Sequence, residues 1–77
     1  MRTLQELRRV AGLTQLQLAA RLDVTPGTIH NWEKGKGEPR ARQIAQLAEA
    51  LGVKADDVLA GLPEPMDEVQ GKWEAAA

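Results

Sequence analysis

Leu13-Thr14-Gln15-Leu16-Gln17-Leu18-Ala19-Ala20-Arg21-Leu22-Asp23-Val24-Thr25-Pro26-Gly27-Thr28-Ile29-His30-Asn31-Trp32-Glu33-Lys34-Gly35-Lys36 is the stretch that decides how this chain folds. It holds two helix starts, Thr14 and Thr25. Thr14-Gln15-Leu16-Gln17 has the form of a capping box, in which the threonine hydroxyl and the glutamine side chain each satisfy an orphan N–H of the first turn. Thr25 is followed by Pro26, whose missing N–H costs nothing at the first helical position. Leu18, Ala19 and Leu22 line the buried face of the first helix, and Ile29 and Trp32 that of the second. Ala19 is small enough to let the following helix approach closely. Leu16 falls off the buried face and reads either as a single surface leucine, which needs no special explanation, or as part of a contact patch. Leu22-Asp23-Val24 is a tight corner, with Asp23 tolerating a positive φ better than most residues and Val24 turning back into the core. Gly35 stops the second helix. Two short helices joined by so brief a turn cannot lie antiparallel; they cross, and the second stands proud of the body.

Outward from this motif the pattern stays helical. Thr3-Leu4-Gln5-Glu6 is another capping box, and Leu4, Leu7 and Ala11 are expected on one face of a first helix that Gly12 ends. Leu13 then turns inward. On the other side, Lys36-Gly37-Glu38-Pro39-Arg40 reads as a turn and a restart, with Pro39 expected in the first turn of a fourth helix. Ile44, Leu47, Ala48 and Leu51 give the cleanest amphipathic repeat in the chain, and Gly52 closes it. Asp56 and Asp57 suit the first turn of a short fifth helix, where negative charge meets the positive end of the helix dipole. The expectation is an all-α, five-helix domain over residues 1–61 and a tail over residues 62–77. Met66, Val69 and Trp73 recur at helical spacing within the tail, so it reads either as a docking arm or as a loose end.

Seventy-seven residues suffice for one small domain. There is no cysteine and one histidine, so neither a disulfide framework nor a thiolate metal site is expected, and no cofactor. No apolar run approaches the roughly 20 residues that span a bilayer, and no secretory signal opens the chain, so the expected place is the cytoplasm. The net charge of −1 hides an asymmetry. Residues 1–42 carry eight Lys or Arg against four acids, and residues 43–77 two against seven. A basic first half with a helix standing proud suits a phosphate-bearing partner and entry into a DNA major groove.

Thr14-Gln15-x-x-Leu18-Ala19-x-x-Leu22-x-Val24-Thr25-x-x-Thr28-Ile29-x-x-Trp32-Glu33-x-Gly35, with Ala11-Gly12-Leu13 before it and Leu47-Ala48-x-Ala50-Leu51-Gly52-Val53 after it, resembles the phage repressor/Cro-type (XRE-family) helix-turn-helix. The likeness covers about residues 3–61, with the motif itself at 14–34. It implies a lambda-repressor-like bundle of five helices that binds double-stranded DNA, in a prokaryotic or phage setting and nucleoid-associated when bound. By resemblance, Gln15 holds a phosphate and braces the recognition helix. Base-reading positions fall on Pro26, Gly27, Thr28, His30 and Asn31. Arg8 and Glu33 match a structural pair tying the first helix to the third. Lys34, Lys36 and Arg40 join the DNA-binding set, with Arg40 on the backbone or toward the minor groove. Pro26 and Gly27 offer no side-chain donor, so direct readout falls chiefly to Thr28, His30 and Asn31. His30 reads equally as a solvated surface histidine.

The leading expectation is therefore a homodimeric, sequence-specific transcriptional regulator or repressor. Its dimer surface is expected on the fifth helix and the start of the tail, through Val58, Leu62, Met66 and Trp73. The alternative is a protein-interaction module, coactivator- or antitoxin-like, that keeps the fold with little DNA readout and works with a regulatory protein partner. An enzyme is not expected: no nucleophile–base set, paired carboxylates or phosphate loop stands at usable spacing.

Overall fold

The computed structural model describes residues 2–63. Within them lie five helices and no strand: α1 (Leu4–Val10), α2 (Gln15–Leu22), α3 (Pro26–Lys34), α4 (Ala41–Leu51) and α5 (Ala55–Gly61). Met66, Val69 and Trp73 lie outside the described residues.

Local chemistry sets where each helix begins. Thr3 Oγ1 accepts the N–H of Glu6 at 3.2 Å, and Glu6 Oε1 accepts the N–H of Thr3 at 3.4 Å. Thr14 and Gln17 make the same reciprocal pair at 3.1 and 2.9 Å. A cap of this kind is worth about 0.5–2 kcal/mol, which matters in helices of seven to nine residues. The ends are set equally locally. Asp23 takes the left-handed conformation, φ 56° and ψ 44°, at the end of α2. The chain reverses there, and the N–H of Val24 reaches the carbonyl of Ala19 at 3.0 Å.

Two expectations about boundaries need correction. Ala11 is the residue just past α1 and is exposed, so it is not part of the buried face; Arg8 is buried in its place. Pro39 lies ahead of α4 rather than in its first turn. Arg40 occupies the cap position with extended φ and ψ, and its N–H donates to Gln43 Oε1 at 2.8 Å. Pro39 instead sits buried in the turn that precedes the cap.

α2 packs against α3 and α4, and α5 packs against α4 and α1. Leu4, Leu18, Ile29, Leu47 and Val58 are fully buried, one from each helix, and Leu7, Ala19, Leu22, Trp32, Ala48 and Leu51 complete the core. Full burial of each large aliphatic side chain contributes about 1.5–3 kcal/mol. Leu13, Val24, Ile44, Val53 and Leu62 close its margins. Leu16 is exposed.

Val58 was expected on a dimer surface, and the fold overturns that. Its side chain is 0% exposed and belongs to the core of its own chain. Leu59, one position on, is 52% exposed and points the other way. Gly61 ends α5 against the N-terminal segment: a Cβ there would lie 2.7 Å from the carbonyl oxygen of Arg2. The close approach of the chain start to α5 therefore requires glycine. Among the described residues no helix is long and apolar enough to cross a membrane.

Candidate nucleic-acid interface

α3 divides into two faces. Ile29 and Trp32 point into the core, while Pro26, Gly27, His30, Asn31 and Lys34 are exposed. The exposed positions fall one helical turn apart in adjacent pairs, so they form one continuous outer stripe. Pro26 and Gly27 open the helix, and no described residue covers them.

Gly27 is conformationally ordinary, and a Cβ added there would meet only Thr25 Oγ1, at 3.8 Å. The fold has no need of glycine at this position, where glycine in a helix costs about 0.5–1 kcal/mol relative to alanine. What its bare backbone offers is outward: a surface that another molecule can approach closely.

The far end of α3 is fixed by charge. Arg8 Nε donates to Glu33 Oε2 at 2.7 Å, and Nη2 donates to Glu33 Oε1 at 3.3 Å. Arg8 Nη1 donates to the carbonyl oxygen of Leu13 at 2.9 Å. Gln15 Nε2 adds a bond to Glu33 Oε1 at 3.1 Å. The two charged side chains are 10% and 3% exposed. One carboxylate thus joins α1, α3 and the start of α2, and the guanidinium also holds the loop between α1 and α2. A buried pair of this sort fixes geometry more than it adds net stability. The bond from Gln15 leaves its second amide proton and its carbonyl oxygen unassigned at the half-buried start of α2.

Arg40 is exposed at the cap of α4, and together with Arg42 it lines a shallow hollow with Asp23 and Val24. That hollow borders the turn that leads into α3, so both arginines flank the start of the exposed stripe. Lys34 and Lys36 are exposed at its other end. Cations therefore bracket α3, and its first turn lies open between them. Thr28 is half-buried, with its hydroxyl 2.9 Å from that of Thr25. From the sequence Thr25 is a helix cap; its pairing with Thr28 emerges only in the structure. The i, i+3 spacing of two threonines across a helix start carried that signal.

The helix-turn-helix family model matches residues 4–58, which takes in all five helices up to the middle of α5. The chain belongs to that family. It is 40% identical over 58 residues to the HTH-type transcriptional activator BcrR of Enterococcus faecalis, a match covering 75% of this chain and 28% of that protein. It is 36% identical over 53 residues to multiprotein-bridging factor 1 of Candida albicans, covering 69% of this chain and 35% of that protein. The chain thus spans about a third of the length of these relatives. An HTH-type transcriptional regulator of Methanothermobacter thermautotrophicus is 47% identical over 53 residues, covering 68% of this chain and 77% of that one. Among solved structures, the clp gene regulator ClgR of C. glutamicum superposes with a TM-score of 0.67 at 33% identity, covering 75% of each chain.

Proposed function

We propose that this chain is a sequence-specific binder of double-stranded DNA that regulates transcription, working as a homodimer with α3 in the major groove of each half-site. The carrying observation is the outer stripe of α3, exposed from Pro26 to Lys34 on a helix whose opposite face is locked into the core. An α-helix presented in this way fits the width of the major groove. Lys34, Lys36 and Arg40 supply phosphate contacts on either side of it, which fix register without reading sequence. Gln15 braces α3 through Glu33 and keeps a free amide proton for a phosphate. Asn31 reads adenine through its N6 and N7 edge, and His30 and Thr28 supply single hydrogen bonds. Pro26 touches a thymine methyl, and Gly27 brings the backbone close. With Val58 committed to the core, the dimer contact falls to Leu59 and Leu62, an exposed and a partly covered leucine at the end of the domain.

Selection from random duplexes tests this reading. The expected result is a palindrome whose half-sites lie about 10–10.5 base pairs apart, one helical turn, or a multiple of that spacing. A single unrepeated half-site contradicts the dimer, and recovery of no enriched sequence contradicts the readout.

A second reading is favoured by the likeness to multiprotein-bridging factor 1 and by the mute Pro26-Gly27 pair at the head of α3. In it the domain serves mainly as a protein-interaction module. The absence of any salt-dependent duplex binding would favour it over the first.

A further inference from the structure

The N-terminal end of α3 is closed by two hydroxyls acting on each other. Thr25 Oγ1 accepts the N–H of Thr28 at 3.2 Å and lies 2.9 Å from Thr28 Oγ1, a separation at which either oxygen can donate. Each hydroxyl has one proton and two lone pairs. One of the two protons is used between them, so the pair keeps one free proton. When Thr25 donates, the free proton sits on Thr28. When Thr28 donates, both lone pairs of Thr25 are occupied, the proton of Thr25 turns outward, and Thr28 presents lone pairs only. Both arrangements contain the same number of internal hydrogen bonds, so the protein itself has little preference between them.

This matters in a desolvated groove, where a hydroxyl proton or lone pair left without a partner is costly. A lone threonine accepting from a base would leave its own proton stranded there. Thr25 removes that cost, because it takes the proton in one arrangement and gives one in the other. We propose that Thr25 is a specificity-determining residue acting through Thr28, and that the exchangeable proton makes readout at one base pair of each half-site tolerant. Thr28 then donates to guanine O6 or N7 or thymine O4, and accepts from adenine N6 or cytosine N4, with similar ease. Thr25 is a positioning residue here, and the inference rests on the DNA-binding reading above.

The substitution Thr25→Asp separates the proton from the cap. Aspartate caps a helix at least as well as threonine, so the fold is kept. Its carboxylate cannot donate, so the Thr28 proton is committed to it and Thr28 meets the base as an acceptor only. Selection from random duplexes with the full chain should show weaker binding to all sequences, from the added negative charge. It should also show a new preference of about 2- to 10-fold for adenine or cytosine at one position per half-site, the value of one net hydrogen bond. Thr25→Ser keeps the proton and should keep the tolerance. In the Thr28→Val background, Thr25→Asp should change overall affinity without changing base preference. The proposal is overturned if T25D leaves the selected sequence unchanged, if it shifts preference equally in the T28V background, or if the parent chain already discriminates at that position as strongly as T25D. Enrichment of no sequence by the parent chain would overturn the DNA-binding reading and this inference with it.

Discussion

The two ends of α3 are held by opposite means. At its C-terminal end, Glu33 is buried and takes three hydrogen bonds from Arg8 and Gln15, which bind the helix to α1 and α2. At its N-terminal end the helix carries no charged side chain of its own and little bulk: Thr25, Pro26, Gly27 and Thr28, mostly exposed, with a hydroxyl cap. A helix that enters a DNA groove, as proposed for α3, must be rigid in aim and open in contact, and these demands conflict at any one place. Here they are met at different ends. The charged end sets direction, and the neutral end leaves room for a partner.

The largest effect is expected at the charged end. Arg8→Ala leaves the Glu33 carboxylate buried beside a single amide donor, and should destabilise the fold by about 3–5 kcal/mol. Urea denaturation followed by circular dichroism measures this. A loss under 1 kcal/mol would mean that the carboxylate reaches water once the guanidinium is gone, and that the end of α3 is not fixed by the pair.

Substitution on the outer stripe should separate stability from binding. Asn31→Ala touches nothing in the core, so stability should hold within about 0.5 kcal/mol. Binding to the selected site should weaken by about 1–3 kcal/mol, with preference relaxed at one base position. An unchanged sequence preference would remove Asn31 from the readers.

The smallest change is at the open end. Gly27→Ala meets no neighbour closer than 3.8 Å and removes a helix glycine, so it should stabilise the fold by about 0.5–1 kcal/mol. Binding should fall alike for all sequences, because the added methyl holds the backbone away from the duplex. A gain in stability with undiminished binding would mean that nothing approaches this glycine closely.

Much of this arrangement is legible in the residues alone, and the reason is physical. Caps are local: Thr3, Thr14 and Thr25 act on groups three residues away, so a helix start can be read without knowing the fold. The left-handed turn at Asp23 is local too. The Arg8–Glu33 pair joins residues 25 apart and was legible only through the family resemblance. What escaped was phase in short helices. α5 has seven residues, too few turns for periodicity to tell the buried Val58 from the exposed Leu59. Ala11 keeps helical backbone angles at the cap of α1 and so the phase of Leu4 and Leu7, but it is exposed: phase gives the face and not how far along it burial extends. The need for glycine at position 61 is not local either: the crowding that requires it comes from Arg2, at the far end of the chain.

The most direct test of the DNA-binding account is titration of the full chain with its selected duplex at several salt concentrations. Lys34, Lys36 and Arg40 from two subunits would neutralise six phosphates, giving a log–log slope of about −5. A slope near that value, made shallower by about two units for each of these cations replaced by alanine, because one substitution removes a contact from both subunits, is the predicted result. A flat salt response, or no duplex binding at low salt, would contradict it.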